Sequence, residues 1–139
     1  MSKNILITGA NGQIAHSLKL FFEDKDFNVR YTSLNPSVNN QLCLDLSLTD
    51  KCAFLFDNYD PDFIINTAGY TNVDLCENNK EKAHKVNVGI INNILKFMSK
   101  KIFVICGMTV IKSNNFLNIR FCQNANMKSK HLNAFNGRF

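Results

Sequence analysis

No two of the five cysteines (43, 52, 76, 106 and 122) form a C-x-x-C pair, and the three histidines (16, 84 and 131) share no metal-ligand spacing with them. A zinc ribbon and a disulfide framework are both excluded, no metal is expected, and an odd, unpatterned set reads as reduced thiols of a cytoplasmic protein. No apolar run approaches the ~18 residues of a membrane span. Met-Ser-Lys leads straight into a strand pattern, so neither a targeting segment nor a membrane partner is expected. Acidic residues are missing altogether beyond Glu81. Residues 1–81 carry six Lys/Arg against eleven acids, whereas residues 82–139 carry ten Lys/Arg against none. Such a basic stretch would suit phosphate neutralisation on a nucleic acid. Asparagine at 114, 115, 118, 124, 126, 133 and 136 instead reads as relaxed composition, and no specific nucleic-acid recognition is expected. At 139 residues the chain suffices for one domain with a genuine core, and is too short for the two-part architecture of most dinucleotide-using enzymes.

What is present begins with Gly9-Ala10-Asn11-Gly12-Gln13-Ile14-Ala15, which follows the apolar run Asn4–Thr8 and opens a helical pattern. A strand, a glycine turn and a helix start bring bare N–H groups and the positive end of a helix dipole together, as a diphosphate requires. The spacing is G-x-x-G-x-x-A. Gly9 is expected to supply the turn and Gly12 the close approach to a pyrophosphate, with Ala15 adding one methyl at the helix–strand contact.

The pattern then alternates strand and helix. Ile14, Leu18, Phe21 and Phe22 form one helical stripe, and Phe27–Thr32 reads as a second strand. Val29-Arg30-Tyr31-Thr32-Ser33 has no acid where a ribose 2′-hydroxyl would be bound, so Arg30, Thr32 and Ser33 point to a 2′-phosphate and hence to NADP, with NAD the alternative. Gln41–Leu44 is a short third strand. Ser47 or Thr49 can cap a helix through about Asn58, with Cys52, Ala53 and Phe56 facing inward. Phe63–Thr67 is a continuous apolar run typical of a buried parallel strand, and the loop Ala68–Thr71 falls at its carboxyl end, where open α/β sheets bind ligands. Asp74–Lys85 and Val86–Met98 read as helices and Ile102–Cys106 as a fifth strand. Beyond Val110 the apolar period fades.

Three segments together resemble the extended short-chain dehydrogenase/reductases, and within them the dTDP-4-dehydrorhamnose reductases. Ile5–Ile14 is similar to that family's opening strand and glycine turn, including the Gln after the second Gly, and Asp45-Leu46-Ser47-Leu48-Thr49-Asp50 to its D-L-T-D segment. Pro61–Glu77 is similar to its P-D-V-V-I-N-x-A-A-Y-T-x-V-D-x-A-E block, and Lys85-Val86-Asn87 to the start of its next helix. The resemblance covers about residues 3–106 and implies an α/β, Rossmann-type doubly wound parallel sheet, truncated after about five strands. It also implies that Gly9, Asn11, Gly12, Gln13 and Ile14 wrap the cofactor diphosphate. Asp45 and Leu46 would flank the adenine, Ala68, Gly69 and Tyr70 would line the cofactor toward the ribose and nicotinamide, and Asn87 would brace the loop ends. Plainer roles stay open: Asn66 as a backbone partner at a strand end, Asp74 as a helix cap, Tyr70 as a core-edge aromatic.

The resemblance breaks after the fifth strand. That family has a Ser-Thr-Asp-Tyr-Val-Phe stretch followed by Tyr-x-x-x-Lys, which sets a phenol one helical turn from an ammonium that lowers its pKa. Here Cys106-Gly107-Met108-Thr109-Val110 takes that place, and the residues four beyond Tyr31, Tyr59 and Tyr70 are Asn35, Phe63 and Asp74. No catalytic residue is assigned. The expectation is an incomplete NAD(P)-binding domain over residues 1–111 and a basic, poorly ordered tail over 112–139. Its partner would be a dinucleotide, joined by a nucleotide-sugar substrate only if a missing C-terminal part completes the site, and its exposed sheet edge would favour oligomers. Alternatives are part of an NAD-dependent nucleotide-sugar epimerase or dehydratase, and a non-catalytic dinucleotide-binding regulatory protein.

Overall fold

Apolar runs separated by amphipathic segments fold here as strands covered by helices, in a computed structural model that describes residues 2–37, 41–98 and the backbone of 102–105. The elements are β1 (Lys3–Thr8), α1 (Gln13–Phe22), β2 (Phe27–Ser33), β3 (Gln41–Cys43), α2 (Thr49–Asn58), β4 (Phe63–Asn66), α3 (Val73–Asn78), α4 (Lys80–His84), a π-helical turn (Lys85–Gly89), α5 (Ile90–Phe97) and β5 (Ile102–Ile105). All strand pairs are parallel, and the sheet order is β3-β2-β1-β4-β5. The chain therefore leaves β1 toward one edge and returns through α2 to its other side. The switch point between β1 and β4 leaves a crevice at the carboxyl ends of the strands. The expected Rossmann-type sheet is present. The expected tail over 112–139 and the Cys106–Val110 segment lie outside the described residues.

The two faces of the sheet follow from the alternation of side chains along each strand. Leu6 and Ile64 face α2 and α5 in a core with Leu46, Cys52, Leu55, Tyr59, Ile90 and Ile94. Ile5, Ile7 and Tyr31 face α1, which contributes Ala15, Leu18 and Phe22. The α1 stripe is thus shifted from expectation: Ile14 and Phe21 are exposed, because the small Ala15 brings the helix onto the sheet through the Ala15-Leu18-Phe22 side. On α2 the inward residues are Cys52 and Leu55, with Ala53 and Phe56 only half-buried. Leu48 occupies the N-cap position there, since Ser47 turns back to donate to Asp45 Oδ1 at 2.6 Å.

The single helix expected over Asp74–Lys85 is broken at Asn79, whose backbone is non-helical and whose side chain accepts from Lys82 N at 3.0 Å to start α4. Asn72, not Asp74, caps α3, accepting from Leu75 N at 2.9 Å. Asparagine competes with helix continuation through such bonds.

Asp62 joins the amino ends of β1 and β4, accepting from Asn4 N at 2.9 Å and from Lys3 Nζ at 3.3 Å, and these contacts hold its carboxyl below the usual carboxylate range. Tyr59 locks the same region. Its buried hydroxyl lies 2.7 Å from the Asn28 carbonyl and 3.0 Å from the Ile5 carbonyl, and the Arg30 guanidinium sits 4.7 Å from its ring centroid. Burial pushes the phenol up to about 12 and the Cys52 thiol up to about 11. Both folded values lie above the unfolded ones, so both groups favour folding while protonated. That contribution is complete below the unfolded values of about 9 and 10 and is lost as pH rises through the folded ones. The urea midpoint is expected to fall between about pH 9 and pH 12, and less so in Tyr59→Phe, which removes one of the titrations. A wild-type midpoint constant across that range would contradict the assignment.

Candidate functional site

At the end of β1 the chain must turn away beneath the neighbouring strand, and Gly9 makes this possible. Its φ is 69°, and a Cβ built there would lie 2.6 Å from Ala68 N and 2.7 Å from Ala68 Cα. Only glycine tolerates that sign and that approach. Gly12 is different. Its backbone is extended (φ −78°, ψ 159°), its N–H donates to Gly9 O at 2.9 Å, and an added Cβ would meet only Gly9 O at 3.3 Å. The free side of Gly12 therefore faces open space at the N-cap of α1, a helix whose first turn has neither a side-chain cap nor an acid. Gln13 and Ile14 follow as exposed first residues of that helix. Exposed N–H groups with a positive dipole end and no resident carboxylate suit an anion.

Hydrogen bonds fix this turn from both sides. Ala10 N donates to Thr32 O at 3.0 Å, and Thr67 donates to Thr8 O through its N–H at 3.3 Å and its hydroxyl at 2.5 Å. A buried polar row, Thr32-Thr8-Asn66, crosses the sheet ends in register, with Thr8 Oγ1 donating to Asn66 Oδ1 at 2.5 Å. Asn66 thus serves a side chain on β1, beyond the strand-end backbone role left open for it. Asn11 ties the turn to the segment after β2, donating to Asn35 O at 2.5 Å and accepting from Ser37 Oγ at 3.0 Å.

The loop after β4 is held equally firmly. Asn87 is buried, and its amide grips the backbone of Tyr70, accepting from Tyr70 N at 2.7 Å and donating to Tyr70 O at 3.1 Å. Cys76 Sγ also donates to Tyr70 O at 3.1 Å. The π-helical turn Lys85–Gly89 carries Asn87. Such turns insert a residue into the helical ladder and recur at functional sites.

These pieces enclose a cavity of about 280 Å³ at the carboxyl ends of β1, β2 and β4. That is at the small end of ligand pockets, which run from about 300 to 1,000 Å³. Of the residues expected to bind a cofactor, Gly9, Asn11, Asp45, Leu46, Ala68, Gly69 and Tyr70 line it. Gly12, Gln13 and Ile14 stand at the helix start outside the lining, and Asn87 lies behind Tyr70. Thr32 and Ser33 line the cavity as well, but Arg30 does not: its guanidinium packs on Tyr59, on the face carrying α2. Arg30 is therefore withdrawn as a 2′-phosphate contact, because a strand residue two positions before Thr32 points to the same face but one pleat nearer the amino end. Lys82, Val86 and Ile90 also line the cavity and were not foreseen as site residues. Val86 and Ile90 fall on the apolar side of the helical period, as core residues also do, and nothing local distinguishes Lys82.

Among the described residues no group of three or more His, Cys, Asp or Glu could hold a metal ion, and no helix is long and apolar enough to cross a membrane. The family model of the RmlD substrate binding domain matches residues 3–105, and the chain belongs to this family. Over 84 residues it is 38% identical to a dTDP-4-dehydrorhamnose reductase of Aggregatibacter actinomycetemcomitans, covering 60% of this chain and 26% of that protein. The fold superposes with a TM-score of 0.67 and 30% identity on a hypothetical dTDP-4-dehydrorhamnose reductase from Sulfolobus tokodaii, covering 73% of this chain and 38% of that one. A dTDP-4-dehydrorhamnose reductase from Bacillus anthracis, solved in complex with NADP, shares the fold with a TM-score of 0.64 and 23% identity, covering 75% of this chain and 35% of that one. The chain thus spans about a quarter of the length of the curated relatives it matches.

Proposed function

We propose that this chain is the NADPH-binding portion of a nucleotide-sugar reductase of the dTDP-4-dehydrorhamnose reductase type, with residues 1–111 as its dinucleotide-binding unit. The observation that carries this reading is the Gly9 turn, sealed against Ala68 at the sheet's switch point beside a cavity that runs from Asp45 and Leu46 to Tyr70. The diphosphate lies against the N–H groups of Asn11, Gln13 and Ile14, where Gly12 leaves room for it. Asp45 and Leu46 border the adenine. Asp45 Oδ1 already accepts from Ser47 N and Oγ, which fixes the carboxylate at that edge. Ala68, Gly69 and Tyr70 carry the other half, braced by Asn87. The described residues fit the group: β2 ends at Ser33 and is followed by Leu34-Asn35, without the carboxylate that would bind a 2′-hydroxyl and repel a 2′-phosphate, which favours NADPH over NADH.

When bound, the dinucleotide supplies a hydride for a sugar carbonyl. This chain's residues hold and orient it, and its 139 residues contain no Tyr-x-x-x-Lys to supply the accompanying proton. Reduction of a dTDP-linked keto sugar accordingly needs a proton donor that these residues do not supply. The free thiols of Cys43, Cys52 and Cys76 support a cytoplasmic location. Titration with NADPH, followed by its own fluorescence, is expected to show saturable binding, while a keto-sugar nucleotide added with NADPH gives no oxidation above a protein-free control. Absence of binding would refute the dinucleotide role, and turnover would refute the division of labour.

A further inference from the structure

The cavity is electrically lopsided. Among the described residues that line it, Asp45 is the acidic side chain and Lys82 the basic one. Asp45 belongs to the segment after β3, whereas Lys82 comes from α4 and stands over the Tyr70 ring, its Nζ 5.2 Å from the ring centroid. Both ends of that contact are held in place. Asn79 fixes the Lys82 backbone by accepting its N–H at 3.0 Å, and Asn87 fixes the Tyr70 backbone through both of its amide atoms. An ammonium above an aromatic face is pre-placed without being neutralised, so its charge stays available to an anion entering the cavity. The neighbouring wall is the glycine turn, because Ala68, two residues before Tyr70, is the residue against which Gly9 packs.

We propose that Lys82 is a phosphate-binding residue, closing over the diphosphate of a dinucleotide from the side opposite the N–H groups of the turn. The inference rests on the dinucleotide reading above and adds a side-chain cation to a site otherwise built from backbone donors. The bridging diphosphate, rather than a 2′-phosphate, is its target. Lys82 stands on the Tyr70 side of the cavity, and the 2′ position belongs to the Ser33–Asn35 end.

Equilibrium titrations of the 139-residue protein with NADPH and with NADH, at several salt concentrations, test this. Lys82→Gln is expected to weaken both ligands by roughly tenfold, as loss of a charge-assisted contact does. It should also flatten the salt dependence. Lys82→Arg should retain affinity within about threefold, because the cation is kept. The melting temperature of each variant should match wild type, since Lys82 is exposed. Unchanged affinity and unchanged salt dependence in Lys82→Gln would overturn the proposal while leaving the dinucleotide reading intact. So would weakening confined to NADPH, which would place Lys82 on the 2′-phosphate. Wild-type protein that binds neither ligand would overturn both.

Discussion

Gly9→Ala is expected to destabilise the protein by at least about 3 kcal/mol, a large share of the roughly 5–15 kcal/mol that holds a domain folded. Two costs combine. An alanine at φ 69° carries a penalty of about 1–2 kcal/mol. Its methyl would also lie 2.6–2.8 Å from the Thr67 and Ala68 backbone, which cannot swing aside as the end of a flexible side chain could. Relief requires parting the β1 and β4 ends, where Thr67 N and Oγ1 bond Thr8 O and Thr8 bonds Asn66. With a urea slope of about 1–3 kcal/mol per molar, the midpoint should drop by more than about 1 M. A midpoint within error of wild type would show that the turn is not held as described.

Gly12→Val is expected to do the converse, weakening NADPH binding by more than about tenfold while costing no more than about 1 kcal/mol of stability. The Gly12 backbone is extended and suits any residue, and a Cβ there touches only Gly9 O. A branched side chain there asks Gly9 O to give by a few tenths of an ångström and extends into the space that the proposed diphosphate would occupy. Parallel measurement of affinity and urea midpoint separates the two effects. Full affinity in a folded variant would make the turn a purely structural junction.

Much of this was legible in the sequence because the physics is local. The strand runs Asn4–Thr8 and Phe63–Thr67 read as buried strands, and they appear as Lys3–Thr8 and Phe63–Asn66. The Gly9 turn was legible because only one residue type meets its backbone demand. Where the outcome depends on three-dimensional choice, the sequence was a poorer guide. The α1 stripe could have docked through Ile14 and Phe21 or through Ala15 and Phe22, and only the closeness that Ala15 permits decides between them. Asn79 ends α3 and begins α4, and Asn72 begins α3, yet in a chain rich in asparagine neither stands out. Arg30 stands beside Thr32 and Ser33 in the chain, but the pleat carries it to Tyr59. Lys82 lies fourteen residues beyond Ala68 and reaches the cavity from α4, the helix that begins after the break at Asn79.

In the proposed complex a dinucleotide lies across the switch point with its diphosphate on the turn from Gly9 to Ile14. Mapping of backbone amide shifts by two-dimensional nuclear magnetic resonance, on the ¹⁵N-labelled protein titrated with NADP, tests it most directly. Saturable shifts are expected at Gly9, Asn11 to Ile14, Asp45, Leu46 and Ala68 to Tyr70, with little change at the far ends of β1 and β4 around Lys3 and Asp62. Shifts clustered elsewhere, or no saturable shift in a folded protein, would contradict it.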